Sequence, residues 1–306
     1  MSKKKQEFLN AANRVIDDLK DFWPLSVRQI HYGLLNNPPL TSNPKSSKHP
    51  PEHYRYKNDK SCYGRLVELL RQGRYSGQVS MIAIDDPTRP HFHRQGWNNV
   101  SHFVDQATKN FLVGYRRDKQ RDQPRHIEVL GEKNTLIQIM KPVCADYDVP
   151  MTLARGYGSI PIWRDMSSRF KNSGKDRMSL IVVSDFDPEG MDLADDAIRT
   201  LRDIWGVDVQ YCRVGVTREQ IEALGLQADF NPAKDSSSRF NSFVERTGST
   251  ETWEVEALPP NYLQDELRSA ILANMDQEIL DENLRQQQQD VSELLEFRNE
   301  IAGDLT

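Results

Sequence analysis

One line of this sequence constrains the fold more than any other: Leu180-Ile181-Val182-Val183-Ser184-Asp185-Phe186-Asp187-Pro188-Glu189-Gly190. Four apolar residues, three of them β-branched, read as a strand, and Pro188 with Gly190 just beyond reads as the start of a helix. A strand that passes its chain directly to a helix belongs to a parallel α/β sheet. Ligands of such sheets bind beyond the carboxyl ends of the strands, where Asp185 and Asp187 fall. Two aspartates that close repel each other unless a cation lies between them, and hard oxygen donors suit Mg²⁺ or Mn²⁺. The plainer alternative is a helix N-cap and a turn with no ligand.

The surrounding pattern repeats the alternation. Strands are expected at about 127–131, 151–155, 179–184 and 208–214, and helices at about 134–146, 159–171, 189–204 and 218–224. The first of these strands, Ile127-Glu128-Val129-Leu130-Gly131, also ends in a carboxylate, Glu132, followed by Lys133. Glu132 precedes Asp185 by 53 residues, which is room for two helical crossovers, so both strand ends can share one edge of the sheet. The reading is a metal site of Glu132, Asp185 and Asp187, with Lys133 nearby for phosphate. A polar stretch from Asp229 to Ser249, a strand-like Trp253-Glu254-Val255-Glu256 and a helical C-terminus from Tyr262 to Leu305 complete this half.

The first half differs in charge and texture. Residues 1–126 carry 22 Lys and Arg against 12 Asp and Glu, whereas residues 127–306 carry 18 against 33, so a net −5 hides a basic and an acidic half. A basic segment joined to an acidic one suggests a polyanion binder coupled to carboxylate chemistry. Residues 3–20 read as an amphipathic helix. Ser26 with Gln29 three residues later is a capping-box signature for a helix over Val27 to Asn36, and a further helix runs from about Ser61 to Gln72. Val79 to Ile84 reads as a strand, and helix, turn, helix, strand is the order of a winged helix. The charged run Tyr115 to Asp122 places a boundary near residue 120, giving domains 1–120 and 121–306.

On the Val27–Asn36 helix, Arg28 and Tyr32 lie four apart on one face, off the stripe of Val27, Ile30 and Leu34. A phenol is a weak nucleophile near neutrality, and a neighbouring cation such as Arg28 is what its use would require. Arg65, Arg71 and Arg74, with Arg89 in the run Asp85-Asp86-Pro87-Thr88-Arg89-Pro90, are candidate contacts to backbone phosphates. Two further readings compete with ordinary loops: zinc at His49, His53, Cys62, His91 and His93, and phosphate at the Arg155-Gly156-Tyr157-Gly158-Ser159 turn. The three cysteines are far apart, which points to reduced thiols. No stretch approaches the roughly 20 apolar residues of a membrane span, and a cytoplasmic location is expected.

Gly131-Glu132-Lys133 after one strand and Asp185-Phe186-Asp187-Pro188-Glu189-Gly190 after another resemble the Toprim domain of topoisomerases, primases and related nucleases. Leu25-Ser26-Val27-Arg28-Gln29-Ile30-His31-Tyr32 resembles the catalytic segment of the topoisomerase VI A subunit and its meiotic double-strand-break relatives. The two resemblances together cover roughly residues 20–260, in the family's order. They imply an α/β chain with an N-terminal winged helix of the CAP-like type and a Toprim domain. They further imply type IIB topoisomerase-like cleavage of double-stranded DNA by a homodimer, with Tyr32 as nucleophile, Arg28 as phosphate contact and Mg²⁺ on the three acids. No GxxxxGK[ST] string is present, so ATP-driven strand passage would need a separate ATPase subunit. His31 stands where the family often has an aromatic residue, and the loop 37–58 looks inserted, so the chain is closer to compact stand-alone bacterial, plasmid or phage relatives. A Toprim nuclease acting by hydrolysis without Tyr32, and a DNA-binding protein with a vestigial site, are the two other readings.

Overall fold

The structure is a computed structural model that describes residues 3–41, 54–85, 96–110, 113–154 and 158–304. Its centre is a four-stranded parallel sheet of β1 (His126–Gly131), β2 (Met151–Leu153), β3 (Met178–Val183) and β4 (Val209–Gly215), in the order β2-β1-β3-β4. Strand and helix alternate as the sequence pattern requires. The intervening helices are α5 (Ile137–Asp146), α6 (Ile160–Ser173) and α7 (Pro188–Asp203), numbered in chain order after four helices of the first half.

The two central strands are apolar on both faces, and alternate residues feed separate cores. Ile127, Val129, Ile181 and Val183 face α5 and α10 (Pro260–Ala273), while Leu130, Leu180 and Val182 face α6 and α7. Helices therefore cover both sides, as a parallel sheet demands. α5 and α7 leave the adjacent strands β1 and β3 on opposite sides, so a crevice opens at the carboxyl ends of that pair. Among the described residues no helix is long and apolar enough to cross a membrane.

The N-terminal helices build a third core. α1 (Lys3–Asp18), α2 (Val27–Asn36) and α3 (Lys60–Tyr75) enclose Phe8, Leu9, Ala12, Ile16, Ile30, Leu34, Leu66, Leu69 and Leu70. The capping box forms as expected, with Ser26 and Gln29 exchanging side-chain to backbone hydrogen bonds. The strand expected at Val79–Ile84 does not form. Met81–Ala83 is a turn of 3₁₀ helix, and only Ile84 pairs, in parallel with Leu25. Met81 and Ile82 are exposed, and among the described residues no strand forms a ladder with them. The helical unit is thus present among the described residues, and the wing is not shown.

Other local expectations are refined. Trp253 makes a single antiparallel bridge to Phe186, after which Val255–Ala257 turns into 3₁₀ helix before Pro259-Pro260. The polar stretch after Asp229 contains α9 (Phe240–Thr247), which follows the short α8 (Arg218–Leu224); α9 buries Phe243 and ends on Gly248 in the left-handed region. α4 (Val100–Asn110) precedes the charged run Tyr115 to Asp122. That run is tied down, because Lys119 pairs with Asp148, and Arg117 with Asp290 on α11 (Gln277–Asp304).

Glu128 is a charged residue inside β1, wholly buried on the side of α6. Arg169 grips both of its oxygens at 2.8 and 2.7 Å, and His126 Nε2 lies 3.0 Å away. Glu128→Ala would leave the Arg169 guanidinium without this partner, though partly able to reach water. The expected loss is about 3 kcal/mol, the low end for a broken buried pair, read from urea unfolding.

Candidate active site

Backbone pairing brings the acids together. β1 and β3 run in register with Gly131 opposite Val183, and the Glu132 N–H donates to the Val183 carbonyl at 3.0 Å. Glu132 therefore emerges beside Ser184-Asp185, and its Oε2 accepts from the Asp185 N–H at 2.9 Å. Asp187 caps α7, its Oδ1 accepting from the Gly190 N–H at 2.6 Å, and Pro188 occupies the first turn where no N–H is needed. Gly190 is required by close approach: a Cβ there would meet the Asp185 carbonyl oxygen and lie 2.9 Å from Glu132 Oε2.

The strand-like segment expected at 253–256 becomes a wall of this site. Asp185 Oδ1 accepts from the Val255 N–H at 2.9 Å, which holds Glu254 and Glu256 beside the acids. Lys133 Nζ stands among the carboxylates, 2.6 Å from Asp185 Oδ2 and 3.5 Å from both Glu254 Oε2 and Glu256 Oε2. Burial opposes its charge, yet the surrounding carboxylates outweigh burial and hold the ammonium above the ordinary lysine value. Lys133 thus serves here as a cation for protein carboxylates. A cleft of about 390 Å³ opens beside these groups, lined by Asp185, Asp187, Glu189, Asp229, Lys60 and Lys234 among others.

The donor chemistry fits a hard divalent cation, although the ligands are not arranged as a finished cage. Among the described residues no three His, Cys, Asp or Glu side chains form a ready metal-binding group. Asp185 is engaged by Lys133 and Val255, while Glu132 and Asp187 each use one oxygen on a backbone N–H. Burial and the neighbouring Asp185 push the Glu132 carboxyl up to about 7, and burial also raises Asp187. That is the signature of carboxylates crowded beyond the local supply of positive charge.

Tyr32 and Arg28 are brought to the same wall. α2 packs against Val255–Ala257, and Ser26 Oγ donates to Glu256 Oε1 at 3.0 Å. Arg28 pairs with Glu254 at 2.6 Å and Asp229 at 3.6 Å, with its guanidinium carbon 5.1 Å from the centre of the Tyr63 ring and 5.3 Å from that of Phe230. A continuous chain of charge, Arg28-Glu254-Lys133-Asp185, links the tyrosine helix to the acids. Tyr32 is not off the core as its helical position suggests. It is 6% exposed, its hydroxyl is buried without a hydrogen-bond partner among the described residues, and burial together with Glu254 and Asp229 raises its pKa. α2 is covered on two sides, by α1 and α3 and by the 255–257 turn, so one helical stripe could not account for its burial.

The remaining candidates are dispersed. Arg65 and Arg71 are exposed on α3, where Arg65 donates to Thr41 and Cys62 Sγ, and Arg71 pairs with Glu68. Arg74 is half-buried and donates to the Met81 carbonyl. Arg89, His49, His53, His91, His93 and the Arg155–Tyr157 turn lie outside the described residues. Cys62 is buried in the helical core. His31 is also buried, with one ring nitrogen hydrogen-bonded to Tyr56 and the other to Asn58; Asn58 in turn donates to the Ala228 carbonyl. Sequence reasoning missed Glu254, Glu256 and Asp229; their spacing carries no motif.

With this geometry in view, comparison with known proteins adds nothing further: no family model, no curated protein and no solved structure matches the chain.

A pH prediction follows from Glu132. Its folded pKa is raised from 4.5 to about 7, so its contribution to stability is complete below pH 4.5 and is lost as pH rises through 7. In metal-free protein, Glu132→Gln should therefore gain stability relative to wild type between these pH values. The gain should reach at most about 3 kcal/mol, followed by thermal unfolding across a pH series.

Proposed function

We propose that this chain is a Mg²⁺-dependent, DNA-cleaving enzyme that works by transesterification. The observation that carries the reading is the convergence of Glu132, Asp185 and Asp187 at one sheet edge, joined through Lys133 and Glu254 to the helix bearing Arg28 and Tyr32. In the reaction the Tyr32 oxygen attacks a backbone phosphorus. The new O–P bond leaves a 5′-phosphotyrosyl end, and the displaced 3′ oxygen takes up a proton. Because the ester conserves the phosphodiester bond, religation needs no further energy source.

Glu132, Asp185 and Asp187 would hold the metal, which supplies positive charge to the non-bridging oxygens of the phosphate. Arg28 would exchange its carboxylate partners for a backbone phosphate, and Arg65 and Arg71 would contact phosphates farther along. Withdrawal of α2 from the 253–258 segment would bring the Tyr32 hydroxyl out of its buried position. Two copies of the chain would cut the two strands, and strand passage would require a separate ATPase.

Hydrolysis by a water molecule is the competing reading, and one observation favours it: the Tyr32 hydroxyl is buried, and burial raises its pKa. Supercoiled plasmid incubated with protein and Mg²⁺ or Mn²⁺, then stopped with denaturant, separates the two. Transesterification predicts protein-linked ends that fall at least about a thousandfold in Tyr32→Phe. Free ends made equally by wild type and Tyr32→Phe would establish hydrolysis instead.

A further inference from the structure

Arg213 sits on the edge strand β4, where the sequence shows nothing more than one charge in a half-exposed run. Its guanidinium turns inward and donates only to main-chain carbonyls: Nε to Val216 at 2.9 Å, Nη1 to Gly190 at 3.3 Å, and Nη2 to Ser184 at 3.0 Å and to Asp185. Among the described residues no carboxylate makes an ion pair with it. The field of Glu132, Asp185 and Asp187 reaches it without contact, and burial lowers its pKa to about 10 against that pull.

The identity of the four acceptors is informative. Ser184 and Asp185 form the turn that ends β3, and Gly190 closes the first turn of α7, which Asp187 caps. Val216 follows β4 and itself donates to the Ser184 carbonyl at 2.8 Å. One planar group thus ties together the two turns from which Asp185 and Asp187 project. It does so without occupying a carboxylate oxygen, unlike Lys133, which takes Asp185 Oδ2. A lysine could not copy this arrangement, because an ammonium has three donors and lacks the planar fork of five.

We infer that Arg213 is a positioning residue, whose guanidinium fixes the Ser184-Asp185 turn and the first turn of α7 and so sets where the carboxylates of Asp185 and Asp187 stand. For its consequence on cation binding this rests on the metal-site reading above. Retaining the charge while losing the geometry should loosen the site, whereas removing a mere counter-charge should tighten it. The two roles therefore have opposite signs.

The test uses the full chain and two measurements on Arg213→Lys. In metal-free protein, hydrogen exchange of the peptide spanning residues 184–192 should accelerate, while β1 remains protected as in wild type. By calorimetry, Mn²⁺ affinity should fall about 10–100-fold, the usual effect of losing a group that orients metal-holding side chains. Unchanged exchange in the 184–192 peptide would overturn the inference, as would wild-type Mn²⁺ affinity in the folded variant. Should Arg213→Lys fail to fold, the same measurements on Arg213→Gln decide, and there a tighter Mn²⁺ site would reduce Arg213 to a counter-charge. Wild-type protein that binds no Mn²⁺ would remove the metal reading, and the exchange measurement alone would then decide whether Arg213 holds the turns.

Discussion

The ammonium of Lys133 is the interaction on which the arrangement of this protein rests. Asp185, Glu254 and Glu256 come from two distant segments and crowd into one partly dry pocket, where charges of like sign repel strongly. Each ion removed from water costs several kcal/mol unless it is paired, and here one cation serves three carboxylates. Arg28 relieves the same cluster from the side of the helical unit by pairing with Glu254. The docking of α2 on the sheet unit is therefore an electrostatic contact between a basic and an acidic half. The charge asymmetry of the sequence reappears in the fold as a specific set of ion pairs.

Features governed by neighbours in sequence were readable in advance. The strand ending at Val183, the cap at Asp187 and the Ser26–Gln29 box depend on contacts within a few residues, and all are present. The juxtaposition of Glu132 with Asp185 was accessible as well, because crossover topology leaves few ways to arrange two strand ends. What periodicity could not show was how a second surface covers the first. Tyr32 lies off the apolar stripe of α2, yet is buried because the 255–257 turn packs on its other side.

The same limit explains the role of Lys133 and the invisibility of Arg213. Lys133 follows Glu132 and looks displayed for phosphate, but besides Asp185 it is claimed by Glu254 and Glu256, which lie more than a hundred positions later. Arg213 meets only carbonyl oxygens, which every residue possesses, so no pattern of side chains could announce it. Val79–Ile84 has strand composition, but among the described residues it makes only the Ile84–Leu25 bridge, and without a ladder its propensity decides nothing.

The bond between Ser26 and Glu256 joins residues 230 positions apart, and Arg28 meets Glu254 across a similar span. The core of the helical unit is complete once residue 84 has been made, whereas its partners on the acidic wall come in the last fifth of the chain. If the helical unit folds as it is synthesised, it does so with α2 undocked, its Tyr32 face bare and Arg28 without its carboxylate partners. The closed surface between the two halves is a late product of translation, assembled only after the segment around Glu254 and Glu256 has emerged to meet a helix that has long been waiting for it.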